Sequence, residues 1–405
     1  MQTISRQSYL DWLRLLAIIG VLFFHAAQPF AAESSWHIKN NETSNLYLEF
    51  TFWLSRFRMH LLFFISGAVA YFIMQRKSGK QFVGMRFQRL MVPLLFGMLV
   101  IVPPQVYMER LTQGFRGNFF DFYPSIFKGI PYPKGNLSWH HLWFILYLFV
   151  YDVLAAPLFA WIISPRGKKF AGITTWLSQG KRMYLLCLPA ILVFTSLILR
   201  YPETNDLVND LAYLPYWFLF VLSGFICISN PLLMNAIERN RRLSLLVAFL
   251  SIVSINYLRW NNVEPPDLWA NWKAQPLTYC YLALYPIIAW SWVLALVGYG
   301  KKYLNRPHRA LTYINQAVYP FYILHQTVIV ILAYYVVQLK DTIEAKYFFI
   351  VAVTFGICVC LFHLLIRPYR VMRFLFGMKE PIEKKKTVAA PEQQATVKPT
   401  LEAIA

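Results

Sequence analysis

Acidic side chains are scarce in this chain, and the common catalytic signatures are missing. Only 19 of the 405 residues are Asp or Glu, and charged residues of both signs make up 14% against 58% hydrophobic. So little charge excludes a soluble enzyme of several domains, whose surface needs more of it. The five cysteines (Cys187, Cys227, Cys280, Cys358, Cys360) fall in or beside apolar runs without metal-ligand spacing. They read as reduced core residues, with neither disulfides nor zinc expected. No HExxH, Walker loop or GxSxG is present, and no metal ligand is assigned. No internal repeat is visible either, so the inverted-repeat signature of many transporters is missing.

What is abundant is apolar and aromatic sequence, with a mean hydropathy of +0.43 and 18% Phe, Trp and Tyr. Ten stretches are long enough to cross a membrane: 10–30, 47–74, 90–107, 139–163, 183–200, 211–229, 243–258, 277–298, 317–338 and 346–366. The expected fold is therefore all-α, a polytopic integral membrane protein of about ten transmembrane helices. The seventh stretch is the shortest.

The net charge of +20 does not call for nucleic acid, because its distribution is a topology signal. Alternate connections carry Arg76, Lys77, Lys80, Arg86 and Arg89; Arg166, Lys168, Lys169, Lys181 and Arg182; Arg239, Arg241 and Arg242; and Lys301, Lys302, Arg306 and Arg309. With Arg6 and the C-terminal tail these hold 26 of the 39 Lys and Arg, against ten in the other loops. By the positive-inside rule both termini are cytoplasmic. The tail past Lys386 is polar and poor in aromatics, and is expected to be disordered. The other loops, 31–46, 108–138 and 259–276, are rich in aromatics, Asn and Pro. That composition fits an interfacial belt and also permits contact with a sugar ring.

The first stretch carries charge where a membrane helix should have none. Arg14 and His25 are eleven residues apart, almost three turns, so they share a face roughly 16 Å apart along the axis. Asp11 lies one turn before Arg14 and can pair with it. Two polar groups on one stripe mark an interior cavity or pathway. Snorkelling of Arg14 and an interhelical hydrogen bond from His25 are the plainer readings. A cleaved signal peptide is a third, and it would break the topology count.

The second stretch contains Arg56, Arg58 and His60, too many polar groups for snorkelling alone. Arg58 is best placed to hold an anion, while Arg56 points about 200° away on a continuous helix, toward the outer interface. Arg86 and Arg89 lie one turn apart at the entrance to the third helix, a spacing that suits phosphates and equally suits positive-inside anchoring. His140 and His141, between Trp139 and Trp143, sit at the outer interface of the fourth stretch. His325 is mid-helix in the ninth, with Tyr319, Tyr322 and the helix-kinking Pro320 before it.

Five pieces of sequence resemble the acyltransferase 3 family of integral membrane acyltransferases. They are LDWLRLLAIIGVLFFH (10–25), MHLLFFISG (59–67), RFQRLMVP (86–93), HLWFILYL (141–148) and YPFYILHQ (319–326), in family order. Further pieces, SSWHIKNNE (34–42), FRMHLLFFISG (57–67), LTYINQAVYPFYILHQ (311–326) and FLFGMK (374–379), resemble its periplasmic-glucan-modifying branch, as does His60 where the wider family usually has Pro.

The resemblance implies one transmembrane domain over 1–378 with a cytoplasmic tail over 379–405, in the bacterial inner membrane. It implies an O-acyltransferase with His25 as the proton-transfer residue, Arg14 as its motif partner, and Arg86 and Arg89 engaging coenzyme A phosphates. Acyl-coenzyme A, succinyl or acetyl, is the expected co-substrate, and a periplasmic glucan or other envelope carbohydrate the acceptor. Arg58, His60, Tyr322, His325, Trp143 and His141 are candidates for the oxyanion or substrate. Direct transfer and an acyl-His25 intermediate both remain open, as does oligomeric state. Two other readings stand beside the enzyme: a secondary transporter or flippase, and a non-catalytic membrane partner in envelope assembly.

Overall fold

The computed structural model describes residues 7–33 and 35–379; Arg6 and the tail beyond Lys379 lie outside them. The ten apolar stretches become helices, because a backbone in hydrocarbon must satisfy its own hydrogen bonds. In chain order we label α1 (Ser8–Ala27), α2 (Asn45–Ser55), α3 (Arg58–Met74), α4 (Gly79–Thr112), α5 (Trp143–Ile163) and α6 (Arg182–Leu197). Then follow α7 (Tyr213–Ser229), α8 (Arg241–Trp260), α9 (Pro276–Tyr303), α10 (Ala310–Val336), α11 (Ile343–Leu361) and α12 (Arg370–Leu375). Eight spans are long and apolar enough to cross a membrane, and ten if two sharply bent pairs are counted. In those pairs, Lys169–Leu177 meets α6 at 112° and α7 meets Pro231–Arg239 at 105°, so the short arms run nearly perpendicular to the spans.

Burial separates centre from periphery. The α2–α3 span is 72% buried over its most apolar window and α10 67%, whereas the α8 and α11 spans are 28% buried. Leu246, Phe249, Leu250 and Val253 of α8, and Phe348, Phe349 and Phe355 of α11, are exposed, as a lipid-facing surface requires. The first helix packs against α3, α9 and α10, with Tyr9, Val21, Ala26 and Ala27 fully or almost fully buried. It is part of the bundle.

The closest approach joins α3 and α7. A Cβ at Gly67 would fall 1.9 Å from the Val221 carbonyl oxygen, and one at Gly224 would fall 1.9 Å from that of Phe64. Two glycines facing each other thus let the helices touch backbone to backbone.

Connections assigned to one side by charge do meet each other. Arg239 and Asn240 reach the carbonyls of Ser178 and Gly180 at 3.1 Å each, and Lys301 pairs with Glu238 at 2.5 Å. On the other side Lys346 donates to Asn40 at 3.0 Å, Trp139 to the Asn205 carbonyl at 3.1 Å, and Arg259 to Glu49 at 2.9 Å.

The second span departs from the sequence reading. It is broken rather than continuous: α2 stops at Ser55, Phe57 leaves helical geometry (φ −139°, ψ −22°), and α3 restarts at Arg58. The third span runs unbroken from Gly79, with wide π turns at Phe87–Met91 and Gly97–Ile101. Arg86 and Arg89 are therefore inside a helix instead of at its entrance.

Candidate functional site

A cavity of about 340 Å³ opens between the end of α1, the α2–α3 break, α5, α7 and α9. Its mouth includes Ser35 and Trp36 of the 31–44 connection and Glu203 and Asn205 of the connection before α7. Its walls are aromatic: Phe24, Trp143, Phe194, Tyr213, Tyr216, Trp217 and Tyr285. Trp143 and Trp217 stack on one another with centroids 4.6 Å apart. Its polar lining gathers His25, Arg56, Arg58 and His60.

The break in the second span explains why both arginines are present. On a continuous helix Arg56 would face away. With helical phase lost at Phe57 it turns into the same cavity, its guanidinium lying over the rings of Phe52 at 4.4 Å and Tyr285 at 5.0 Å. Arg58 sits with its guanidinium carbon 3.4 Å from the centre of the Phe24 ring, and its Nε and Nη1 are buried without a hydrogen-bond partner. A cation–π contact offsets part of the burial of that charge. The unmet donors are what an incoming anion would satisfy. Both nitrogens of His60 are likewise buried and unpartnered, its ring set edge-on against Tyr216 and Phe220.

His25 is joined across the bundle to His325: His25 Nδ1 and His325 Nε2 are 2.8 Å apart. The ring of His325 meets that of His141 at 87° with centroids 5.2 Å apart. His141 donates from Nε2 to the Ile323 carbonyl at 3.0 Å, and its Nδ1 faces the Gln105 amide at 3.4 Å. His141 is therefore buried within the bundle. Tyr322 donates its hydroxyl to the His141 carbonyl and does not line the cavity, so its phenol is committed to structure rather than available to an oxyanion. Gln105 was missed, since one glutamine in an apolar span carries no periodic signal. It is fully buried, bonding Thr327 at 2.7 Å and Gln326 at 3.2 Å.

Toward the other end of α1, Arg14 pairs with Asp11 at 3.0 Å, as the spacing predicts, and also with Asn315 of α10. Arg86 and Arg89 have different surroundings. The π turn between them changes the helical phase, and Arg86 Nε lies 3.0 Å from Asp152 Oδ2 of α5, a carboxylate with no solvent exposure. Arg89 is half-buried; its carbonyl accepts from Tyr319 at 3.2 Å, six residues before His325 on α10. That is roughly 9 Å of helix rise. Gly377, with φ +63°, completes this end: a Cβ there would lie 2.6 Å from the Arg89 carbonyl oxygen.

Where no metal ligand was assigned, three residues do converge. His37, Glu109 and His140, from three separate segments, offer ligand atoms within 4.8 Å of one another. The rings of His37 and His140 lie face to face, with centroids 4.6 Å apart and planes tilted by 28°. His37 pairs directly with Glu109, whose other oxygen accepts from Tyr132 at 2.8 Å. Burial and the neighbouring Glu109 push the Tyr132 hydroxyl up to about 12, so it remains a donor. The His37–Glu109–Tyr132 hydrogen bonds tie the 31–44 connection to α4 and to the loop before α5.

Residues 7–364 match a family described as an acyltransferase domain. Over 407 aligned residues the chain is 24% identical to glucans biosynthesis protein C of Escherichia coli O139:H28, of Escherichia coli K12 and of Shigella dysenteriae serotype 1. Each match covers 96% of this chain and 98% of the relative. No solved structure matches.

Proposed function

Because the chain belongs to the acyltransferase 3 family and is an acyltransferase with multiple membrane spans, we propose a specific reaction for it. It transfers an acyl group, succinyl in preference to acetyl, from cytoplasmic acyl-coenzyme A to a hydroxyl of a periplasmic glucan or related envelope carbohydrate, with His25 as the general base. One observation carries this reading. His25 borders a cavity walled by aromatic rings, in which a buried arginine, Arg58, has donors to spare. Aromatic faces suit the apolar faces of sugar rings, and the 24% identity to glucans biosynthesis protein C points to the same acceptor class.

A sugar hydroxyl becomes a nucleophile when a base takes its proton as the C–O bond forms, which neutral imidazole can do near neutral pH. The hydroxyl oxygen attacks the thioester carbon, and its proton passes to His25. The oxyanion collapses as the C–S bond breaks, and His25 returns the proton to the leaving thiolate. Arg58 stabilises the oxyanion or a donor carboxylate in this proposal, a role supported by its unmet buried donors at the cavity wall. Arg89 is the better candidate for the coenzyme A phosphates, Arg86 being held by Asp152.

The test is thioester turnover by the purified protein in detergent, with succinyl- and acetyl-coenzyme A and a periplasmic glucan extract. Glucan-dependent release of coenzyme A should fall ~10²–10⁴-fold in His25→Ala. Turnover unchanged in that variant would remove His25 from the chemistry, and no turnover or binding of either donor would favour a transporter instead.

A further inference from the structure

The bonds around His325 decide which nitrogen of His25 is the base. We propose that His325 is a positioning residue that holds His25 in the Nδ1–H tautomer and so leaves Nε2 as the nitrogen that takes the acceptor's proton. The proposal rests on the acyl-transfer reading above and goes beyond it, since neither family membership nor sequence spacing distinguishes the two nitrogens.

The assignment follows from one group that can only accept. His325 Nδ1 lies 2.6 Å from the Tyr322 carbonyl oxygen, three residues back on α10. A carbonyl has no proton to give, so Nδ1 must carry the hydrogen. In a neutral ring Nε2 is then a bare acceptor. His25 Nδ1 is 2.8 Å from that acceptor, so His25 donates from Nδ1 and its Nε2 keeps a free lone pair. Ring geometry agrees. The centroids are 5.1 Å apart and the planes tilted by only 20°, which places the rings edge to edge with the bond in plane. His25 borders the cavity; His325 does not.

His325 has two further ring neighbours. The Phe321 ring is parallel to it within 7° at 6.3 Å, and the ring of His141 stands perpendicular at 5.2 Å. His141 is held in turn by the Ile323 carbonyl.

This arrangement also helps the chemistry. When the acceptor hydroxyl attacks the thioester carbon, its proton goes to His25 Nε2, and the ring becomes an imidazolium. The Nδ1–H bond to neutral His325 is then charge-assisted and stronger than before, an interaction made most strongly in the transition state. As the C–S bond breaks, the same proton leaves Nε2 for the thiolate. His325 thus does for His25 what an orienting carboxylate does in a Ser–His–Asp triad, without burying a second full charge.

Two readouts test this. The first is kinetic, comparing His325→Gln, whose amide oxygen can accept from His25 Nδ1, with His325→Phe, which keeps a ring and removes the acceptor. The expected result is kcat within about tenfold of wild type for Gln and lowered ~10²–10⁴-fold for Phe, with the donor KM unchanged in both. Equal kcat in the two variants, with thermal unfolding showing both folded, would overturn the proposal.

The second needs no activity: ¹⁵N spectra of histidine-labelled protein, with the His25 signals identified by their loss in His25→Gln. Nδ1 protonated in wild type, with that tautomer lost in His325→Phe, is expected. A wild-type His25 protonated at Nε2 would overturn the positioning role even in an active enzyme. The expected tautomer in a protein that turns over no thioester would fault the acyl-transfer reading instead.

Discussion

A guanidinium with unmet donors is costly to bury, and Arg58 accepts that cost at the wall of the cavity. Its contact with Phe24 and the Glu203 carboxylate of the same cavity offset part of it, and a bound anion would add to them. If that anion is the distal carboxylate of a dicarboxylic acyl donor, Arg58→Gln should lose about 1.5–3 kcal/mol of binding to it. The expected outcome is a ten- to hundredfold drop in kcat/KM for succinyl-coenzyme A with a much smaller change for acetyl-coenzyme A. An unchanged ratio between the donors would assign Arg58 to the oxyanion, or to no reacting group. At this scale the sequence was informative wherever polarity was misplaced: Arg14, His25, Arg58, His60 and His325 all stand out in apolar spans. Gln105 and the contact between His25 and His325 did not stand out. A lone glutamine is unremarkable, and no spacing rule links positions 300 residues apart.

Elements are held together by the pairs they bury. Asp152 of α5 has no solvent exposure, and Arg86 of α4 is 11% exposed beside it. Removing one partner of such a pair costs about 3–5 kcal/mol, whereas replacing both with apolar residues is often neutral. Arg86→Met should therefore lower the thermal unfolding temperature in detergent, and Arg86→Met with Asp152→Leu should restore it. Arg89→Met should leave stability unchanged while raising the donor KM on the order of tenfold, if phosphates dock there. A donor KM raised by the Arg86, Asp152 double variant would instead return Arg86 to the binding site. The boundaries of the helices were largely visible in hydropathy, but the break at Phe57 was not: SRFRMHLLFF reads as one helix. The break is stabilised by what surrounds it, including Phe57 packed on Trp53 and Trp292.

For the molecule as a whole, arginine and lysine placement predicts both termini on the cytoplasmic side. Contacts such as Arg239 with Ser178 on one face and Lys346 with Asn40 on the other agree with that alternation without fixing which face is which. Reporter fusions would fix it. A C-terminal phosphatase that works only outside the cytoplasm should be silent, and a fluorescent protein that matures only inside should be bright. The same fusions placed in the 108–138 connection should show the reverse. With that orientation the cavity mouth at Trp36 and Asn205 would open to the periplasm and Arg89 would lie toward the cytoplasm, the sides that the proposed transfer needs.

By itself the sequence determined that this chain is a helical membrane protein, how its connections alternate, and which polar residues are out of place. Each of these follows from local physics: the transfer of apolar side chains into lipid, the bias on basic loops, and the penalty on each buried charge. Only the tertiary structure decided which of those residues meet. It turned Arg56 inward by breaking a helix, gave Arg86 to Asp152, committed the Tyr322 hydroxyl to a carbonyl, and set His325 behind His25. Such pairings depend on the relative rotation of whole helices, which side-chain packing across the bundle fixes and local sequence does not encode.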